Sequence, residues 1–244
     1  MPDTTVQTPS GEVAAYLAVP AAPAEPPWPG VVVLHEALGL NADIRAHADR
    51  FAARGYLALA PDLFSFRRPK AVCVLAAFRA LSKRSGPAFD AIEAARTALA
   101  QRGDTTGRVG VIGFCMGGGF ALLAAPRGWF AASSVNYGVV PKDAEAVLRG
   151  ACPVVGSYGG RDRFLRDAPD RLDAALAANG VERDVKTYPD ASHSLLNRPA
   201  GRAPELIARV AGYGRTEPAA SDAERRIDAF FDRYVAERSD AGPG

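Results

Sequence analysis

A glycine-rich segment with a cysteine at its centre is the part of this sequence where residue types and spacing point most directly to chemistry. Residues 113–119 read GFCMGGG, follow the apolar run 108–112 and precede FALLA. The pattern predicts a strand, a sharp turn and a helix, with Cys115 on the turn. A helix N-terminus favours a thiolate over a thiol and presents free backbone N–H groups. The segment therefore indicates a nucleophile.

The same segment has two other interpretations. It could be a packed cysteine in a tight corner, or a loop that binds phosphate through its glycines. A phosphate loop is typically followed by Lys and then Ser or Thr, whereas Phe120 and Ala121 follow here. The spacing of Gly113, Cys115 and Gly117 instead matches a nucleophile elbow, a strained turn that needs small residues on both sides of the nucleophile.

Such a nucleophile needs a base and a carboxylate that orients the base. His193 is the only histidine after Cys115, and it follows the last predicted strand in the segment YPDASHS. In chains with an elbow of this kind, the order along the chain is nucleophile, acid, histidine. Asp162 lies just past the end of an earlier strand, in GSYGGRD, and is the predicted acid. The competing carboxylates in this region are Asp167, Asp170 and Asp190.

A second polar segment, HEALGLN, begins directly after the all-apolar strand 31–34. A loop in this position supplies one N–H of an oxyanion hole, so the Ala37 N–H is predicted to act together with the Met116 N–H. Glu36 lies at the same edge of the sheet. A carboxylate beside a thiol could accept its proton, although a surface or capping carboxylate is the commoner role of a glutamate.

The strands and helices that must position these residues alternate along the chain. This alternation predicts a mostly parallel sheet with helices on both faces. The predicted strands are 12–19, 31–34, 56–60, 109–112, 129–136, 153–158 and 181–188. The predicted helices are 43–54, 69–83, 87–101, 115–125, 141–149, 168–179, a short one at 206–210, and a terminal helix with an apolar stripe of Ile227, Phe230, Phe231, Tyr234 and Val235. With no repeat and no long linker, residues 1–244 are predicted to form a single domain.

The composition argues against several classes of protein. The chain has 244 residues, of which 48% are hydrophobic and 23% charged, with a net charge of +2, so nucleic acid is not an expected partner. No apolar run is long enough for a membrane span and no leader is apparent, so we expect a cytoplasmic protein without a membrane partner. Three cysteines and three histidines, without a CxxC or HxxxH pair, predict neither a disulfide framework nor a metal site.

Four segments, in this order, resemble the dienelactone hydrolase (carboxymethylenebutenolidase) family of α/β-hydrolases: VVVLHEALGLNADIRAHADRFAARGYLALAPDLF, GVIGFCMGGGFAL, GSYGGRDRF and YPDASHSLLNR. The resemblance implies an α/β-hydrolase fold with a central sheet of about seven to eight strands. It also implies a role for each candidate: Cys115 as nucleophile, Asp162 and His193 as its triad partners, Glu36 as the carboxylate that helps to generate the thiolate when substrate binds, and Ala37 and Met116 as oxyanion donors.

Members of this family that cleave dienelactone hold the substrate carboxylate with arginines, one after the PDL motif and one shortly after the histidine. Here these segments offer Arg67, Arg68 and Arg198, without the usual tyrosine near the first and with the last displaced. An arginine fork that matches a carboxylate is sensitive to position, so the departure argues against dienelactone itself as the substrate. Surface solvation is the alternative role of all three side chains.

The sequence therefore predicts a hydrolase of ester or lactone bonds in small molecules, which acts through a thioester acyl-enzyme and needs no cofactor. The expected partner is the small-molecule substrate, and the expected assembly is a monomer or a small homo-oligomer. Two alternatives remain. One is a non-catalytic relative that binds a small ligand in the same fold, and the other is a thiol redox sensor with Cys73 or Cys152 as the resolving cysteine.

Overall fold

The computed structural model describes residues 3–65, 70–198 and 214–237, and these ranges contain eight strands in one sheet. The strands are β1 (Asp3–Thr8), β2 (Gly11–Ala18), β3 (Trp28–Leu34), β4 (Leu57–Pro61), β5 (Thr105–Phe114), β6 (Ser133–Asn136), β7 (Val154–Gly159) and β8 (Arg183–Tyr188). The helices are α1 (Ala42–Ala52), α2 (Lys70–Lys83), α3 (Pro87–Ala100), α4 (Met116–Ala124), α5 (Ala144–Val147), α6 (Ala168–Ala178) and α7 (Ala219–Phe231), with a 3₁₀ turn at Ala125–Arg127 and a π-helical turn at Asp232–Ala236.

The strands lie in the order β1-β2-β4-β3-β5-β6-β7-β8. β1 pairs with β2 and β2 with β4 in antiparallel fashion, and every other neighbouring pair is parallel. The prediction of a mostly parallel sheet of seven to eight strands is confirmed. Because β3, β5, β7 and β8 are parallel, the loops that follow them meet at one edge of the sheet.

The apolar β3 is buried because helices cover both faces of the sheet. Val31 and Val33 pack in a cluster with residues of α1 and α7, whereas Val32 and Leu34 pack in a second cluster with residues of α2, α3 and α4. A third cluster joins α5 and α6 to β7. Helices on both faces, as predicted, explain why the strand has no polar alternation.

The predicted stripe of the terminal helix packs against β5. Ile227, Phe231 and Val235 are buried at intervals of four residues. Gly110 of β5 faces them, and a Cβ at this position would lie 2.6 Å from Cε1 of Phe231. The missing side chain of Gly110 therefore lets the helix approach the centre of the sheet.

Several elements differ from the sequence-based prediction. β1 was not predicted because Val6 is its one buried residue and its other positions are polar. The strand predicted at 129–136 begins at Ser133, and the helix predicted at 141–149 shortens to α5, which ends before Gly150 at φ 75°. The helix predicted at 206–210 lies outside the described residues.

No helix in the described part of the chain is long and apolar enough to cross a bilayer.

Candidate active site

Cys115 lies on the turn between β5 and α4, as the sequence predicts. It has φ 53° and ψ −111°, a backbone conformation that costs energy for a residue with a side chain. Its N–H donates to the carbonyl of Asn136 at 3.0 Å, and its carbonyl accepts from the N–H of Gly119 at 3.1 Å. These bonds to β6 and to the first turn of α4 hold the strained residue in place, with its side chain in a cavity.

The glycines beside Cys115 are required by close backbone contacts. A Cβ on Gly113 would overlap the carbonyl of Gly117, and a Cβ on Gly117 would overlap the carbonyl of Leu34. A Cβ on Gly118 would lie 2.7 Å from the carbonyl oxygen of Asn136. The glycine-rich sequence therefore lets α4 begin directly against β3 and β6, which is the packing that an elbow needs.

His193 and Asp162 come together because the loop after β7 is bonded to the loop after β8. The N–H of Gly160 donates to the carbonyl of Tyr188 at 2.8 Å, and the N–H of Arg161 donates to that of Ala191 at 2.9 Å. One oxygen of Asp162 then lies 2.6 Å from Nδ1 of His193. The contact requires a proton on this nitrogen, because the ionised carboxylate can only accept.

The second oxygen of Asp162 is also satisfied, since it accepts from the N–H of Phe164 at 3.0 Å. Burial by itself raises the pKa of Asp162, but the hydrogen bond and the charge of His193, with the backbone bonds, outweigh burial and lower it. Asp162 is 4% exposed. It is therefore a buried and ionised carboxylate whose position orients the imidazole. Of its competitors, Asp190 is exposed and paired with Arg161, while Asp167 is the residue before α6 and makes no side-chain hydrogen bond that caps the helix.

His193 is hydrogen-bonded to Cys115 as well as to Asp162. Burial lowers the pKa of His193, but these two hydrogen bonds and the charges of both partners outweigh burial and raise it to about 9. At neutral pH the imidazole is therefore protonated. An imidazole that is hydrogen-bonded to both a carboxylate and a sulfur is the arrangement in which a cysteine acts as a nucleophile.

Glu36 lies in the same cavity, at the end of β3. Burial is the main cause that raises the pKa of its carboxyl group, and the nearby Asp43 acts in the same direction. A weak hydrogen bond from Nδ2 of Asn41, at 3.4 Å, opposes the shift. A carboxyl group with a raised pKa accepts a proton more readily than an ordinary carboxylate, so Glu36 is suited to exchange a proton with the thiol in this cavity.

The preceding residue, His35, fixes the peptide that joins Glu36 to Ala37. His35 is fully buried, and its Nε2 accepts from the N–H of Leu63 at 2.9 Å, so the proton of the neutral ring lies on Nδ1. Nδ1–H then donates to the carbonyl of Glu36 at 2.6 Å, which also accepts from the N–H of Gly39 at 3.1 Å. The Ala37 N–H belongs to the same rigid peptide plane, so these two bonds set its direction.

A buried polar chain supports the imidazole from behind. The ring of Tyr137 contacts that of His193 edge-on, with 5.3 Å between centroids. The hydroxyl of Tyr137 donates to Oδ1 of Asn197, and Nδ2 of Asn197 donates to Asp43 at 2.7 Å. Burial, together with the charge of Glu36, holds the pKa of Tyr137 well above its usual range, so its hydroxyl remains a donor.

The described residues around Cys115 enclose a cavity of about 690 Å³. Ala37 and Met116, the predicted oxyanion donors, line it together with Glu36 and His193. Met116 is the first residue of α4, so its N–H has no carbonyl four residues back in the helix to bond. Arg198 is exposed and is not among the described lining residues, and Arg67 and Arg68 lie outside the described part of the chain.

The redox alternative receives no support from the other thiols. No disulfide joins Cys73, Cys115 or Cys152, and Cys73 is buried in the core. Burial raises the pKa of Cys152 to about 12, which keeps this sulfur as an unreactive thiol.

In the part of the chain that the structure describes, no group of three or more histidine, cysteine or acidic side chains could hold a metal ion.

Comparisons with known proteins identify the family of this chain. The profile of the dienelactone hydrolase family matches residues 13–235. A carboxymethylenebutenolidase from Pseudomonas putida is 30% identical over 223 residues, which cover 86% of this chain and 89% of that protein. The chain belongs to the dienelactone hydrolase family. Members of this family are hydrolases, so the prediction of a carboxylic ester or lactone hydrolase is confirmed at the level of the family.

Solved structures of other proteins share the fold of this chain. A dienelactone hydrolase-like promiscuous phosphotriesterase from metagenomic libraries superposes with a TM-score of 0.75 at 22% identity, covering 96% of this chain and 98% of that one. An esterase from Thermogutta terrifontis superposes with a TM-score of 0.63 at 16% identity, covering 98% and 95% of the two chains. The predicted α/β-hydrolase fold is therefore confirmed.

Three residues at the site had no role assigned from the sequence. His35 was noted only as the start of a polar segment, and Asn197 was not considered. Tyr137 lines the cavity and contacts the ring of His193, a role that the sequence does not indicate. Their contacts join segments far apart in the chain, and sequence spacing does not reveal such contacts. A buried histidine directly after an all-apolar strand is the one available signal, and it applies to His35.

Proposed function

We propose that this member of the dienelactone hydrolase family hydrolyses ester or lactone bonds in small molecules through a Cys115 thiolate. The observation that carries the proposal is the hydrogen-bonded chain from Asp162 through His193 to Cys115, at the wall of a cavity. The test is hydrolysis of p-nitrophenyl acetate during alkylation by iodoacetamide. Turnover should be lost in step with alkylation of Cys115, and full turnover after complete alkylation would contradict the proposal.

In the acylation step, the thiolate of Cys115 adds to the substrate carbonyl carbon. The carbonyl oxygen becomes an anion, which the N–H groups of Ala37 and Met116 stabilise. As the bond from carbon to the leaving oxygen breaks, the imidazolium of His193 gives its proton to that oxygen. The alcohol departs, or remains attached if the substrate is a lactone. The result is a thioester on Cys115 and a neutral His193.

In the deacylation step, His193 acts as the base. It takes a proton from a water molecule whose oxygen adds to the thioester carbonyl. The carbon–sulfur bond then breaks, which releases the carboxylic acid and restores the thiolate beside the imidazolium. Asp162 keeps the imidazole in the orientation and tautomer that both steps need. Glu36 acts on enzyme molecules whose sulfur carries a proton: its carboxylate takes that proton as substrate binds, which leaves the thiolate, and returns it to the sulfur after the acid is released.

We expect a different alkaline pH dependence for substrates with poor and with good leaving groups. The pKa of His193 is about 9, and its proton is needed only when the leaving alkoxide is basic. With an ethyl ester, kcat/KM should therefore fall as the pH rises through about 9. With the matching p-nitrophenyl ester the fall should be much smaller. Equal alkaline falls for the two esters would contradict the assignment of His193 as the acid.

Replacement of His35 should weaken the oxyanion hole without affecting ground-state binding. Removing the donor to the Glu36 carbonyl frees the peptide that carries the Ala37 N–H, so kcat should fall by roughly tenfold to a hundredfold in His35→Ala, with little change in KM. His35→Gln, which can still donate and accept, should recover part of the loss.

A second readout separates positioning by His35 from a purely structural role. A trifluoromethyl ketone forms an oxyanion on the thiolate, whereas the carboxylic acid product does not. The affinity for the ketone should fall in parallel with kcat/KM in His35→Ala, while the affinity for the acid stays constant. Equal losses for the two ligands would show that the substitution only disturbs the cavity.

A further inference from the structure

The cavity beside Cys115 is walled mainly by apolar side chains from separate elements. Leu81 of α2, Leu123 of α4 and Leu165 from the loop after β7 form its inner wall. Its volume of about 690 Å³ is within the range of sites that enclose a ligand of drug-like size. The space therefore extends well beyond what an acetyl group or a small lactone ring would fill.

The mouth of the cavity is also apolar, which is unusual for an exposed surface. Leu38 is 66% exposed, Phe78 47%, Val139 61% and Phe164 84%, and all four line the cavity. They belong to four different segments that converge at this one place. Large apolar side chains clustered around an opening mark a surface that an apolar ligand covers.

The charged groups of the described lining do not favour an anionic ligand. Arg84 is the one lysine or arginine among them, and its Nη2 donates to both oxygens of Asp143, at 2.6 and 2.9 Å. The positive charge of Arg84 is thus already compensated. The carboxyl group of Glu36 lines the same cavity and adds no positive charge to it. Besides His193, which pairs with Asp162, and Arg84, which pairs with Asp143, the described lining offers no cation to a carboxylate.

We propose that the substrates are neutral esters with a bulky apolar acyl group, and that esters with a carboxylate on that group are rejected. This inference rests on the proposed hydrolase function and narrows its substrate class. The apolar wall and mouth bind the acyl chain by removing its surface from water. A carboxylate at the end of the same chain would lose its hydration without gaining a partner.

The test compares two p-nitrophenyl esters that differ in one group, the hexanoate and the monoester of adipic acid. Both acyl chains have the same number of carbons, and only the second ends in a carboxylate. We expect kcat/KM for the hexanoate to be higher by on the order of 100-fold, because the site would have to desolvate the carboxylate without pairing it. Equal values, or a preference for the adipate monoester, would overturn the inference and point to Arg67, Arg68 or Arg198 as carboxylate ligands.

The acetate ester separates this result from a failure of the proposed function. If p-nitrophenyl acetate, hexanoate and adipate monoester all lack Cys115-dependent turnover, the proposed hydrolase is wrong. If the acetate is hydrolysed through Cys115 but the two longer esters are hydrolysed equally, the hydrolase stands and the substrate class is wrong.

Asp143→Asn provides a variant outside the catalytic machinery. The substitution removes the carboxylate that compensates Arg84 at the edge of the cavity, so kcat/KM for the adipate monoester should rise by about threefold to tenfold with little change for the hexanoate. Asp173→Asn, which breaks the ion pair between Asp173 of α6 and Arg183 of β8, is the matched control and should change neither value. An unchanged ratio in Asp143→Asn would contradict the role given to this ion pair.

Discussion

Cys115→Ala is expected to lower kcat for ester hydrolysis by about 10⁴-fold or more, because it removes the sulfur that forms the acyl-enzyme. The variant should remain folded, since the substitution leaves the glycines of the elbow and the hydrogen bonds of residue 115 intact. Steady-state hydrolysis of p-nitrophenyl hexanoate measures the effect. Alanine also relieves no backbone strain, because φ 53° is unfavourable for any residue with a Cβ.

Two further variants make this result specific. Cys115→Ser keeps a weaker nucleophile in the same place and should retain more activity than the alanine variant. Cys152→Ala removes a thiol whose pKa burial raises to about 12, and it should leave kcat unchanged. Turnover by Cys115→Ala close to that of the wild type would mean that the reaction uses another nucleophile or attacks with water directly.

Asp162→Asn is expected to have the second largest effect, a fall in kcat of roughly 10³- to 10⁴-fold. The buried carboxylate accepts the Nδ1 proton of His193 at 2.6 Å, and an amide at this place can donate to Nδ1 instead and stabilise the wrong tautomer. The charge that raises the pKa of His193 is also lost, so the alkaline fall of kcat/KM with an ethyl ester should shift to lower pH.

Asp190→Asn is the matched control for this substitution. Asp190 precedes His193 in the same loop, but its carboxylate is exposed and pairs with Arg161 on the surface. Its replacement should change neither kcat nor the pH profile. If Asp162→Asn and Asp190→Asn had similar small effects, Asp162 would not be the residue that orients the imidazole.

The fold could be predicted from the sequence where the elements are apolar and regular. The all-apolar β3 and the stripe on α7 were predicted because burial on both faces, or along one helix face, leaves a direct pattern in the sequence. β1 left no such pattern, since its position in the sheet depends on backbone pairing with β2 rather than on apolar side chains. β6 and α5 were predicted too long, because local sequence patterns do not show where an element stops packing against the rest of the fold.

The candidate site could be predicted in part, because its residues follow strands whose order along the chain can be read from the sequence. Cys115, Asp162, His193 and Glu36 each come directly after a strand or in the loop behind it, and the structure brings three of them into one cavity and places Asp162 behind His193. Their catalytic roles stay predictions until they are measured. The support from His35 and Tyr137 depends on contacts across the fold, which no spacing rule predicts.

The substrate class required the three-dimensional structure. The sequence shows arginines near the site, but not that Arg84 lines the cavity and is paired with Asp143. Nor does it show that Leu38, Phe78, Val139 and Phe164, which lie in four segments, meet at one opening. The apolar character of the cavity is a property of the assembled fold.

The central claim, that Cys115 carries the acyl group, is tested most directly by mass spectrometry of the acid-quenched enzyme. The wild-type protein would be mixed with excess p-nitrophenyl hexanoate, quenched within milliseconds and digested. We expect a hexanoyl group on the peptide that contains Cys115, in an amount equal to the p-nitrophenol released in the burst. Hydroxylamine should remove this hexanoyl group from the peptide. A burst without this adduct, or with the hexanoyl group on another residue, would contradict the account.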